Sequence, residues 1–95
     1  ELLFRTMWDT ALLEKKLGRP SGALALFSDL AGGRNPFRAA ALEELAKHYE
    51  HGERNYEMAL EMTRAALKLE DSTALRHRET RLMKRIEKPR PRRLL

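Results

Sequence analysis

The chain has 95 residues, with 19 Lys/Arg, 14 Asp/Glu, 3 His, a net charge of +5 and no cysteine. That length supports one modest hydrophobic core and excludes a catalytic domain with a second module. Without cysteine there is no disulfide framework, no thiolate nucleophile and no cysteine metal site, as suits a reducing, cytoplasmic setting.

No apolar run approaches a membrane span and no signal-peptide pattern is present, so no membrane partner is expected. Charge is unevenly placed. Residues 1–71 hold 10 Lys/Arg against 12 Asp/Glu, a net of −2, whereas residues 72–95 hold 9 against 2, a net of +7. An electrostatic partner would be drawn to the C-terminal quarter. The start at Glu1 rather than Met leads us to expect a longer parent protein.

Valine is absent and no stretch alternates with period two, so strands are not expected, and helical spacing recurs throughout. Phe4, Trp8, Ala11, Leu12 and Lys15 follow one face of a first helix that Gly18 should end, since glycine tolerates the positive φ of that position. Pro20 then suits the first turn of a second helix, about 20–31, with Ala23, Leu24, Phe27, Leu30 and Ala31 inward. Asn35 and Pro36 predict the start of a third helix, about 36–51, burying Leu42, Leu45, Ala46 and Tyr49. Gly52 should stop it. Asn55 can cap a fourth helix, about 56–69, with Ala59, Leu60, Thr63, Ala66 and Leu67 inward. Asp71 or Ser72 caps a fifth, about 72–88, whose apolar residues are Leu75, Leu82, Met83 and Ile86. Pro89 and Pro91 end it, and residues 89–95 read as a basic, mobile tail.

Shifting the sequence by 34 places Trp8 on Leu42, Leu12 on Ala46, Lys15 on Tyr49 and Gly18 on Gly52. Past the turn a shift of 36 places Ala23 on Ala59, Leu24 on Leu60, Phe27 on Thr63 and Leu30 on Ala66. A helix–turn–helix period of about 34 is the mark of the tetratricopeptide repeat. On these residues the chain resembles that family: Trp8 and Leu42 lead, Leu45, Ala46 and Tyr49 follow, and small residues at Ala46 and Ala59 admit close helix approach. Ala11-Leu12 in place of Leu-Gly, Lys15 in place of Tyr, and Glu70-Asp71 in place of a Pro depart from the pattern. The expected fold is therefore all-α, with repeats over about 3–36 and 37–71 and a basic capping helix over 72–88, in one domain spanning 1–88. A five-helix bundle with chance-matched hairpins is the alternative; a bundle closes on itself, whereas repeats stack in an open array. Two repeats and a cap are few for such an array, so more repeats upstream or pairing with another chain, a homo-oligomer included, are expected.

A second resemblance rests on "ALEELAKHYEHGERNYEMALEMTRAALKLED" followed by "LRHRETRLMKRIEK". This looks like the C-terminal part of bacterial YprB-type ribonuclease-H-like proteins of the 3′–5′ exonuclease class. It implies that nuclease chemistry and its divalent metal would sit in a domain outside these residues.

Within the chain, chemistry finds little support. Glu44, His48 and His51 share a helix face with residue types suited to zinc, but His-Glu-x-x-His is missing and no fourth ligand is evident. Glu43, Glu44, Glu50, Glu53, Glu57 and Glu61 read as exposed acids, several with a base three or four positions away. Ser21, Ser28 and Ser72 lie in no nucleophile motif, and Gly32-Gly33 lacks a phosphate-loop context. No catalytic residue, metal or cofactor is assigned.

Two binding surfaces are expected instead. Arg78, Arg81, Arg85 and Lys88 form a cationic stripe on the fifth helix, extended by Arg90, Arg92 and Arg93, which would contact nucleic-acid phosphates. No aromatic lies between them to stack bases. The tetratricopeptide resemblance implies a concave groove lined by Asp9, Leu13, Lys16 and Leu17 and by Glu43, Lys47, Glu50 and His51. The expected function is a non-catalytic interaction module docking a protein partner or a neighbouring domain. The alternative is an accessory nucleic-acid-engaging element of an attached exonuclease, acting through the basic helix.

Overall fold

A computed structural model describes residues 2–88, and every regular element among them is helical. In chain order these are α1 (Leu2–Lys16), α2 (Pro20–Ala31), α3 (Arg38–Lys47), α4 (Tyr56–Leu69) and α5 (Thr73–Glu87), with a π-helical turn at His48–Gly52 extending α3. The chain is all-α, as the helical spacing predicts. The basic tail, with Arg90, Arg92 and Arg93, lies outside the described residues.

Most boundaries follow local chemistry. Gly18 sits at φ +75°, and the Arg19 and Gly18 amides donate to the Glu14 and Lys15 carbonyls at 2.8 and 3.1 Å. That pair of bonds satisfies carbonyls that a helix end leaves orphaned. Pro20 opens α2 directly. Asn55 Oδ1 accepts from the Met58 amide at 3.1 Å, and Ser72 Oγ accepts from the Leu75 amide at 3.1 Å, so the caps of α4 and α5 stand as predicted.

Two boundaries differ. The third helix starts at Arg38, not Pro36, because Asn35 is engaged elsewhere. Its Oδ1 accepts from the Phe37 amide at 2.9 Å in a tight turn, while its Nδ2 donates to the Leu30 and Gly33 carbonyls at 2.8 and 3.2 Å. Asn35 thus closes the end of α2 rather than opening α3. Gly52, expected to make the second reversal, lies inside the π-helical turn. The left-handed conformation falls instead on Arg54, at φ 55°. The wide turn needs that reversal later: Glu53 donates back to the His48 carbonyl and Asn55 to that of Tyr49.

The core is built from small residues beside a few large ones. Ala11, Ala41, Ala46, Ala59 and Ala66 are fully buried, which lets neighbouring helices approach closely. Trp8 fills the space at one end, stacked on Phe37 (5.6 Å between centroids) and edge-on to Phe27 (5.5 Å). Thr63 is buried too, its hydroxyl satisfied by donation to the Ala59 carbonyl at 2.8 Å. Leu75 and Leu82 anchor α5. On α1, however, Leu12 is 38% exposed and Lys15 points out of the core.

Each helix packs chiefly on its chain neighbours: α1 on α2, α2 on α3, α3 on α4, α4 on α5. The Cα atoms span 56 × 28 × 19 Å, an elongated outline. A closed five-helix bundle would lay α1 broadly against α4 or α5, and no such pairing forms among the described residues. The arrangement is an open α–α array.

Candidate functional site

Where the end of α1, the start of α2 and the end of α3 meet, a cavity of about 400 Å³ opens. Its floor is apolar, with Pro20, Ala23, Leu24 and Phe27 from α2. Its rim is polar, with Lys15 from α1 and Glu44, Lys47, His48 and His51 from α3 and the π-helical turn. Glu44 organises the rim, accepting from Lys15 Nζ at 2.7 Å and Lys47 Nζ at 3.2 Å. Burial pushes the Glu44 carboxyl up, but hydrogen bonds and charge from the two lysines outweigh it and hold the group below its ordinary value. His48 Nε2 lies 2.7 Å from Glu53, and Gly52 leaves room for the His48 ring, since a Cβ there would meet Nδ1 at 3.1 Å.

The groove residues expected from the sequence divide between separate places. Lys47 and His51 reach the cavity rim. Asp9, Leu13, Lys16 and Leu17 lie instead on the outer side of α1, with Leu13 and Leu17 about half exposed and Asp9 paired with Arg5 at 3.4 Å. Glu43 is half-buried on α3 and lines no part of the cavity.

Glu50 is the clearest departure. It is 6% exposed, not a surface acid, and it faces α5. Arg81 donates to it twice, Nε to Oε2 at 2.7 Å and Nη2 to Oε1 at 2.9 Å, and Arg78 Nη1 donates to Oε1. Burial raises the Glu50 carboxyl, while the Arg81 hydrogen bonds and the Arg81 and Arg78 charges lower it further, leaving it depressed. The Glu50 hydrogen bond in turn raises Arg81.

The cationic stripe of α5 is therefore uneven: Arg78 is turned in, whereas Arg81, Arg85 and Lys88 stay exposed. Arg78 is mostly buried, with Nε unpartnered among the described residues, and Arg81 is half covered. Arg85 lies 4.9 Å over the Tyr56 ring and donates to its hydroxyl at 3.0 Å. Lys88 is exposed at the helix end.

Lys15, His48, Leu24 and Phe27 line the cavity although none belongs to the groove expected from the sequence. The signal was there: Lys15 stands where the resemblance expected an aromatic, and Glu44 supplies its counter-charge. The trio Glu44, His48 and His51 does not converge. Glu44 faces two lysines, His48 faces Glu53, and His51 lies 3.7 Å from Glu50. Among the described residues no group of three or more His, Cys, Asp or Glu could hold a metal ion, and no helix is long and apolar enough to cross a membrane.

No family model matches the chain, and no match was found among curated proteins or among solved structures.

Proposed function

We propose that this chain is a non-catalytic interaction module of the tetratricopeptide type, with α5 as its cap. It binds a segment of a partner protein, or of a neighbouring domain, across the cavity between α1, α2 and α3. The observation that carries this reading is the cavity itself, an apolar floor inside a ring of fixed charges. A bulky apolar side chain seated on Leu24 and Phe27 gains about 25 cal/mol for each Å² it removes from water. The Lys15–Glu44–Lys47 cluster offers both donors and an acceptor to the polar groups flanking that side chain, which sets orientation.

Support also comes from the open packing order and from the buried alanines Ala46 and Ala59 at the positions where paired repeat helices approach. The alternative, a nucleic-acid-engaging element, is weakened by the engagement of Arg78 and Arg81 with Glu50, which leaves that part of the stripe partly neutralised.

Selection of displayed random peptides against the folded chain tests the reading. Enriched peptides should share a bulky apolar residue and lose binding to Leu24→Gln and Lys47→Ala variants of unchanged helicity. Enrichment of purely basic or acidic peptides, indifferent to both variants, would reject it.

A further inference from the structure

On the far side of the π-helical turn from the cavity's apolar floor, Arg54, Arg81 and Arg85 line a second hollow of about 350 Å³ with His51, Tyr56 and Glu50. The three arginines come from three places in the chain: the loop before α4, and two successive turns of α5. Glu50 is the one acid in the lining, and it is already bound by Arg81 and by Arg78 from below. Cations therefore outnumber anions around this hollow by a wide margin.

Each arginine still presents donors. Arg81 uses Nε and Nη2 on Glu50, so its Nη1 edge has no partner among the described residues. Arg85 is oriented by Tyr56, through the ring face and a hydrogen bond from Nη1, but no acid of the described residues pairs with it. Arg54 has no hydrogen-bond or ion-pair partner among them, and its backbone is held at φ 55°, a conformation that costs a non-glycine residue energy. Buried Glu50 fixes Arg81 in place, which lowers the ordering needed when a ligand arrives.

We infer that this hollow is a binding site for a phosphate monoester dianion, as free phosphate or as a phosphorylated side chain of a partner. Planar guanidiniums grip phosphate oxygens through paired N–H donors, and three arginines lining one concavity suit one tetrahedral dianion. A nucleic-acid backbone is a poorer match, because it wants cations spread along a track at phosphate spacing and not gathered at one point. The Tyr56 hydroxyl adds a neutral hydrogen-bonding group beside the charges.

The test uses the whole chain and three probes: inorganic phosphate, a short phosphoserine peptide beside its unphosphorylated form, and oligothymidylate. Arginine Nε resonances are followed by NMR. Phosphate and the phosphopeptide should shift the Arg54, Arg81 and Arg85 signals saturably, and the unphosphorylated peptide should not. Arg54→Gln and Arg85→Gln should each weaken binding by about tenfold or more, the effect of one lost charge-assisted hydrogen bond, while Lys88→Gln leaves it unchanged. Arg81 is left intact because its loss would strand Glu50, and thermal melts confirm that the two variants fold. Tighter binding of the phosphopeptide than of inorganic phosphate assigns the source to a modified side chain; equal binding assigns it to the free anion. Absence of saturable shifts, equal loss with Lys88→Gln, or oligothymidylate binding that Arg54→Gln and Arg85→Gln leave intact would overturn the proposal.

Discussion

Arg81 grips Glu50 with two parallel hydrogen bonds, 2.7 and 2.9 Å long, that tie α5 to the π-helical turn after α3. Arg78 donates to the same carboxylate from a more buried position. One acid therefore anchors two cations of the last helix, adding a polar tie to the Leu75 and Leu82 contacts. Removing it strands Arg78 in a place water barely reaches. We expect Glu50→Ala to destabilise the fold by about 2–4 kcal/mol in urea unfolding, since breaking a buried pair leaves an uncompensated charge. The exposed Asp71–Arg76 pair offers the contrast, and Asp71→Asn should shift the unfolding midpoint little.

Stability should fall in acid, and Glu50 and Glu44 set the direction. Both carboxyls are depressed in the folded chain below the unfolded value of 4.5, each because basic partners outweigh the upward push of burial. A depressed carboxyl contributes stability that is present above 4.5 and lost as pH falls through its folded value. Urea unfolding across a pH series should therefore show a plateau near neutrality and a decline below 4.5, shallower in Glu50→Gln than in the parent chain. An equal slope in both would show that Glu50 is not linked to folding.

Backbone conformation yields a paired prediction of opposite sign. Gly18 lies at φ +75°, where a Cβ is strained, so Gly18→Ala should cost about 1–2 kcal/mol. Arg54 already bears that strain at φ 55°, so Arg54→Gly should be neutral or stabilising by up to about 1 kcal/mol, less the added freedom of the unfolded chain. Thermal melts of the two variants, each against the parent, read the signs directly.

α3 packs on α4, and each helix contributes a fully buried alanine. Ala46 and Ala59 are both 0% exposed. Ala46→Leu should overpack the junction and cost about 1–3 kcal/mol, whereas Ala25→Leu on the exposed side of α2 should be tolerated. Comparable melting temperatures for the two variants would mean that α3 and α4 do not meet at Ala46.

Much of this fold was legible in the chain because its signals are local. A glycine after an apolar stripe, a proline at a helix start, and Asn55 and Ser72 before apolar runs all act within one turn. The misreadings share another cause, since each depends on residues distant in sequence or on an extra use for a side chain. Asn35 looks like a helix cap but spends its amide on the Leu30 carbonyl. Gly52 looks like the reversal, yet the π-helical turn moves it to Arg54. Glu50 lies four residues beyond buried Ala46, so its place beside the core was readable from spacing, but its charge argued for the surface. Where Arg78 and Arg81 point could not be read from α5 alone, because the acid that orients them lies 28 and 31 positions earlier. The cavity was hidden for the same reason, as Lys15 and Glu44 meet across 29 positions.

The central claim, that a partner segment is held in the cavity beneath Lys15, Glu44 and Lys47, is tested most directly by mapping a selected peptide onto the chain by amide chemical shifts. The account predicts that the largest changes fall on Leu24, Phe27, Lys47 and His51, and that they vanish in Leu24→Gln. Changes centred on α5, or spread evenly and unaltered in that variant, would contradict it.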